Sequence, residues 1–296
     1  MSSYLYRFAG LHCHLLSFQT SFWNQWIWKL DPYQANCSTN QADLQISLRS
    51  ADISWNPLSL LKEEEEEADF FRHRVYEAED KHILWQYDRI KNGEIILRYC
   101  VSPKWDLIQL VTDQSHSSGS LAFEYLSQIM PSVMLKHDYL TFHGVLMEYE
   151  GNGIIISAAS GTGKTTHARL WRDLRRALII NGDRAVCAKT AEGWTGYGLP
   201  WSGTSGEQIN RSVAIRALVV LRRSETNEAH RISALEAFHQ VFAHVLYPSW
   251  NKALTEKMMD LLESFLRDVP IFLLSCRPDA ESVDVLYAAL DEVLHE

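Results

Sequence analysis

The stretch from Gly153 to His167, Gly-Ile-Ile-Ile-Ser-Ala-Ala-Ser-Gly-Thr-Gly-Lys-Thr-Thr-His, constrains the fold of this chain more than any other. Ile154 to Ile156 is a β-branched apolar run of the kind that forms a buried strand. A loop of small residues follows, and a helix is expected to open at Lys164. Strand, glycine loop and helix in this order make a phosphate-binding loop. Gly161 and Gly163 let the backbone curl so that successive N–H groups face phosphate oxygens. The helix N-terminus adds partial positive charge. Lys164 supplies a full charge for the β- and γ-phosphates, and Thr165 offers a hydroxyl to a magnesium ion. The usual pattern starts with Gly, separated by four residues from Gly163-Lys164-Thr165, where this chain has Ala158. Ala resists positive φ, so ordinary dihedrals are expected at the loop entry. The plain alternative is a glycine-rich turn that binds nothing.

A loop of this kind needs a carboxylate at the end of a neighbouring strand, to hold magnesium or to take the proton of an attacking hydroxyl. Asp183 closes the apolar run Ala177 to Asn181, about one βα unit after Lys164. Its alternative is a turn residue, since Asn181-Gly182-Asp183 is good turn chemistry. His143 lies on the strand Leu140 to Tyr149, turned by Glu150-Gly151-Asn152-Gly153, with Asn152-Gly153 a hairpin signal, into the loop strand. It is either a packed core histidine or a donor to the γ-phosphate.

The stretch from His143 to Asp183 resembles the catalytic core of HPr kinase/phosphorylase and its relatives. Ser160-Gly161-Thr162-Gly163-Lys164-Thr165-Thr166 also resembles the loop of ATP-dependent phosphoenolpyruvate carboxykinase. Ile180-Asn181-Gly182-Asp183-Arg184 and Gly198-Leu199-Pro200-Trp201-Ser202-Gly203 look like the HPr-kinase-like proteins of peptide-tailoring clusters. Those include kinases of the C-terminal Ser of lasso-peptide precursors. HPr kinases carry two adjacent Asp where this chain has Gly182-Asp183, and Glu207 is a poor match to their later Glu signature.

The resemblance implies an α/β fold, a P-loop kinase core of the HPr kinase C-terminal and phosphoenolpyruvate carboxykinase type, with a mainly-β N-terminal region. It implies ATP held by Ser160 to Thr166, Mg2+ at Thr165 and Asp183, and catalysis by His143, Lys164 and Asp183. Asp183 would accept the proton of a Ser hydroxyl on a peptide or protein. A kinase of a small hydroxylated metabolite and a non-catalytic nucleotide-binding regulator are the alternatives. The 200–206 loop is a candidate for substrate contact.

The polar, Gly-containing stretch Ser115 to Ser120 marks a boundary, giving regions 1–118 and 119–296. In the first, residues 4–18 read as one or two strands. His12 and His14 flank Cys13 and share a strand face; with no second ligand pair nearby, packing is expected rather than a metal. Phe22 to Trp28 is an aromatic cluster, core rather than a peptide-binding surface. Glu63 to Glu67, five like charges, reads as a solvated loop or helix end. Short strands at 70–75, 83–87, 95–100 and 107–111, with turns at Lys91-Asn92-Gly93 and Ser102-Pro103, predict a small antiparallel sheet.

In the second region, residues 121–135 read as a helix interrupted by Pro131. Arg169, Arg172 and Arg176 fall on one helix face and read as solvated charges. Helices are expected over 234–245, 252–267 and 280–294, and strands over 185–190, 194–198, 214–221 and 270–274.

With 296 residues the chain has room for two modest domains, and its net charge of −9 argues against a general nucleic-acid binder. The five Cys are scattered without paired spacing, which fits a reducing cytosol. No apolar run is long enough to cross a bilayer. A cytoplasmic protein without membrane partners is expected; its oligomeric state is left open.

Overall fold

The computed structural model describes residues 2–17, 27–36, 42–49, 56–66, 71–111 and 119–295. The molecule is a mixed α/β protein that divides into two compact units, Met1–Val133 and Met134–Glu296.

The first unit is built on strands β1 (Ser2–Phe8), β2 (Leu11–Ser17), β3 (Leu44–Arg49), β4 (Pro57–Glu66), β5 (Phe71–Ala78), β6 (Ile83–Arg89), β7 (Ile95–Val101) and β8 (Leu107–Val111). They form one sheet in the order β1-β2-β3-β8-β7-β6-β5-β4. The expected small antiparallel sheet is therefore half of a larger, mixed one, because β3 pairs parallel to both β2 and β8. The short helix α1 (Ile27–Leu30) lies between β2 and β3. The aromatic segment lies outside the described residues from Phe22 to Trp26; Trp28 is exposed.

The glutamate run is a strand, not a loop or helix end. Glu63, Glu64 and Glu65 of β4 stand opposite Arg74, His73 and Arg72 of β5. Cross-strand opposite charges offset the repulsion that the run carries by itself. Glu67 lies outside the described residues. His12 pairs with Asp43 at 3.6 Å, and the His14 ring meets Ser3 Oγ at 2.8 Å, so both are committed to packing.

Helix α2 (Gly119–Lys136) contains Pro131 and is not ended by it. The expected interruption does not occur: the helix continues past the proline although one backbone donor is lost there.

The second unit holds β9 (Tyr139–Tyr149), β10 (Asn152–Ser157), α3 (Lys164–Arg175), β11 (Leu178–Asn181), β12 (Arg184–Thr190), β13 (Gly193–Tyr197), β14 (Ser212–Arg223) and β15 (Glu228–Arg231). Helices α4 (Ala234–Phe242) and α5 (Lys252–Asp268), strand β16 (Ile271–Cys276) and helix α6 (Ala280–Leu294) follow. The hairpin between β9 and β10 turns at Glu150-Gly151, the first half of the expected turn and both at positive φ, while Asn152-Gly153 already belong to β10. Gly153 serves closeness instead: a Cβ there would stand 2.7 Å from Val213 and 2.8 Å from the Ala214 carbonyl.

The two long strands, β9 and β14, serve three partners each. β9 pairs with β12 along 139–143 and with β10 along 144–149. β14 pairs with β13 at its start, then parallel to β10 and β16. β9 is antiparallel to both β10 and β11, so β10, β11, β14 and β16 run the same way. Their carboxyl ends share one edge, where ligands of open α/β sheets bind.

Apolar runs bury this arrangement. Val145, Ile154, Ile156, Val219 and Leu274 of the sheet pack with Trp171 of α3 and Leu286 and Leu290 of α6. Trp171 is fully buried; its loss would cost about 3–5 kcal/mol.

Candidate active site

The glycine loop stands between β10 and α3. Gly161 and Gly163 have φ of 73° and 117°, which a side chain rarely tolerates. Ala158 is buried and has no positive φ, as expected of alanine at the loop entry. Ser160, Gly161 and Thr166 are exposed, Thr162, Gly163 and Thr165 half-buried, and Lys164 buried.

The three protons of the Lys164 ammonium have three partners. Nζ donates to the Ala158 carbonyl at 2.9 Å, the Ala159 carbonyl at 3.3 Å and His143 Nε2 at 3.0 Å. An ammonium has no lone pair, so Nε2 is the acceptor and the imidazole proton sits on Nδ1. That nitrogen faces Asp183 Oδ1 at 3.6 Å, longer than a hydrogen bond. The structure thus brings Lys164, His143 and Asp183 into one line.

Electrostatics keep this line short of full charge. Burial pulls the His143 pKa below the ordinary histidine value, the Lys164 ammonium pulls it further, and Asp183 pushes back. Burial also lowers the Lys164 pKa, against the opposing pull of Asp183. The His143 imidazole is therefore neutral near pH 7.

Backbone register explains the convergence. His143 of β9 stands opposite Arg184 of β12, and the next residue, Gly144, stands opposite Ser157 at the end of β10. Gly144 donates its N–H to the Asp183 carbonyl at 2.9 Å, and Ser157 Oγ donates to the His143 carbonyl at 2.9 Å.

Two contributors were not singled out from the sequence. Asn181 is fully buried. Its Oδ1 accepts from the N–H groups of Asp183 at 3.0 Å and Arg184 at 2.8 Å. Its Nδ2 donates to the carbonyls of Leu199 and Trp201, both at 3.0 Å. One side chain therefore fixes the acid's backbone and ties it to the 199–201 segment. The signal was there, an Asn two residues before the acid, but it reads equally as a turn. His244 is the second. Its carbonyl accepts from the His143 N–H at 2.8 Å, and Phe142 bridges Val245. His143 and His244 are thus neighbours beside an isolated antiparallel bridge. Burial lowers the His244 pKa, and Lys164 and His143 lower it further. Nothing local in the sequence marks it.

The 200–206 loop closes over the acid. A Cβ on Gly203 would lie 2.6 Å from Asp183 Cγ, and one on Gly182 would lie 2.2 Å from Ser205 Oγ. Glu207 accepts from Arg169 at 3.0 Å and Arg172 at 2.8 Å. These arginines are an anchor for the loop and not simply a solvated face; Arg176 lies beyond the helix, in the left-handed cap position.

Among the described residues no group of three or more His, Cys, Asp or Glu side chains is placed to hold a metal. The residues suit Mg2+ of the kind that is held by one carboxylate and one hydroxyl and takes its other ligands from phosphates and water. Asp183 and Thr165 are the donors available. No helix among the described residues is long and apolar enough to cross a membrane.

No protein-family model and no curated protein matches the sequence. Among solved structures the chain is similar to the Hpr(Ser) kinase/phosphatase from Coxiella burnetii, at 10% identity and a TM-score of 0.32, over 53% of this chain and 99% of that one. At that TM-score the likeness decides neither fold nor chemistry, which rest on the residues above.

Proposed function

We propose that the protein is an ATP-dependent phosphotransferase acting on a Ser hydroxyl of a peptide or protein. The observation that carries this reading is the line Lys164–His143–Asp183 at the carboxyl edge of the sheet, with the glycine loop at one end and an acid at the other.

The loop N–H groups receive the phosphates of ATP. Lys164 exchanges its bonds to the loop carbonyls for the β- and γ-oxygens. His143, neutral and protonated on Nδ1, keeps the ammonium aimed while it does so. Asp183 accepts the proton of the acceptor hydroxyl. The bond between the γ-phosphorus and the β-bridging oxygen breaks, a new bond forms to the Ser oxygen, and ADP leaves. Mg2+ at Thr165 and Asp183 would supply neutralisation of phosphate charge. Positioning and electrostatics supply most of the rate in such transfers.

The acceptor to try first is a peptide ending in Ser, such as a lasso-peptide precursor, because the 180–184 and 198–203 segments resemble the kinases of those precursors. With γ-labelled ATP, label is expected on the peptide with the wild-type protein and to fall about a thousandfold in Lys164→Ala. ATP binding with no transfer to any peptide or metabolite, unchanged in Asp183→Asn, would make the protein a nucleotide-binding regulator instead.

A further inference from the structure

Helices α4 and α5 each carry a second apolar stripe beside the one that enters the core. α4 buries Ala237 and Val241, while its Leu235 and Phe238 stand off that face. α5 buries Leu254, Met258, Leu262 and Phe265, while Met259 and Leu266 lie one residue further round. Leu235 is 72% exposed and Met259 38%. Between the two helices lies a groove of about 680 Å³, lined by Leu235, Phe238, Met259, Leu266 and Ile271 among others. Its lining includes no residue of the glycine loop and none of Lys164, His143 and Asp183.

The four charged residues of the lining are sorted by sign. Arg267 stands in the last turn of α5, and Arg231 pairs with Phe272, just past the end of that helix. Asp260 and Glu263 stand one to two turns earlier on α5, so roughly 10 Å separates the acidic end of the groove from its basic end. Arg231, Asp260 and Glu263 are exposed. The one ion pair of these four among the described residues is that of Arg267 with its chain neighbour Asp268, at 3.6 Å.

Single exposed apolar side chains are ordinary. Two stripes that face one groove, with uncommitted charge at both ends, mark a contact surface. A partner that fits it carries apolar residues between an acidic and a basic cluster at the same spacing and in the reverse order. The chain itself has that pattern. We propose that the α4–α5 groove is the face through which two copies of this chain pair, related by a two-fold axis across the groove. In that arrangement Arg231 and Arg267 of each copy come over Asp260 and Glu263 of the other, and each Leu235 enters the opposite groove. A parallel arrangement would set like charges together. The inference goes beyond the phosphotransferase reading and is independent of it.

Sedimentation velocity of the full chain across micromolar concentrations tests the pairing. The wild type is expected to form dimers. Leu235→Asp, Arg231→Glu and Glu263→Arg change exposed positions only. Each is expected to weaken self-association about tenfold or more, with the far-ultraviolet circular dichroism of the wild type. An equimolar mixture of Arg231→Glu and Glu263→Arg is expected to pair again, because each altered charge then meets its opposite on the other chain. A wild type that stays monomeric overturns the proposal and leaves the groove to a partner of other chemistry. Pairing that all three variants keep overturns it too, since the interface then lies elsewhere. A mixture that pairs no better than either variant alone rules out the two-fold arrangement.

Discussion

Asp88 in the first unit and Asp183 in the second are both carboxylates among basic neighbours on a sheet. Asp88 is fully buried, its Oδ2 held by Arg74 and its Oδ1 by Gln86 Nε2 at 2.6 Å, while Gln86 in turn accepts from Arg98. Asp183 keeps 24% of its side chain exposed, and its nearest basic atoms are His143 Nδ1 at 3.6 Å and Arg184 Nε at 3.4 Å. Both oxygens of the first carboxylate are hydrogen-bonded, and a buried acid held at both oxygens specifies structure. The second has a fixed backbone and an unsaturated side chain, and only an acid in that condition can take a proton from a substrate. The contrast lies in the bonding around each acid, not in residue type.

The contrast can be broken by exchanging its effects. Asp183→Asn is expected to lower phosphoryl transfer by about 10²–10⁴-fold with little change in melting temperature. A variant that transfers normally removes Asp183 from the chemistry. Asp88→Ala is expected to do the reverse. It removes the buried carboxylate partner of Arg74 and Gln86 and costs about 1–3 kcal/mol of stability, while transfer by whatever remains folded is unchanged. Denaturant titration beside a transfer assay reads both.

The same contrast sharpens with pH. His73 in the first unit and His167 in the second are both pushed down to about 4, chiefly by burial. In the unfolded chain each titrates near 6.5. Below that pH the unfolded state binds protons that the folded state refuses, so stability is full above about 6.5 and falls as pH drops toward 4. The slope is up to about 1.4 kcal/mol per pH unit for each histidine. Denaturant melts at several pH values should show His167→Gln losing one proton's share of that slope. An unchanged slope would mean that His167 is protonated in the fold.

Gly203→Ala is the smallest of these tests. A methyl group 2.6 Å from Asp183 Cγ must displace the acid or the loop. A fall in transfer of roughly tenfold to a hundredfold is expected, with ATP affinity kept, because the glycine loop is untouched. A loss of ATP affinity instead would place the 200–206 loop in nucleotide binding.

Much of the second unit was legible because its signals are local. Three consecutive isoleucines, two glycines at positive φ and a lysine at the helix start each declare themselves within a few residues, and Asp183 follows one strand later. What was hidden depends on partners far along the chain. The glutamate run made sense only once Arg72 to Arg74 lay opposite it. His244 reaches His143 across about a hundred residues of sequence. Asn181 shows its role only when Leu199 and Trp201 present their carbonyls. Strand β15 escaped notice because its four residues are mostly exposed and carry no alternation. The expected turn over Glu150 to Gly153 tightened to Glu150-Gly151 because Asn152 and Gly153 already pair with Tyr149 and Glu148.

The tight seat of Ser205 against Gly182 reaches beyond the present sequence. Any side chain at position 182 collides with that hydroxyl, so a paired-acid edge is not one mutation away. A descendant that gained a second carboxylate there would first have to shift or replace Ser205, and the intermediate would carry a disturbed loop over Asp183. The single-acid arrangement is thus walled off by sterics, and it should persist through drift that freely rewrites the exposed residues around it.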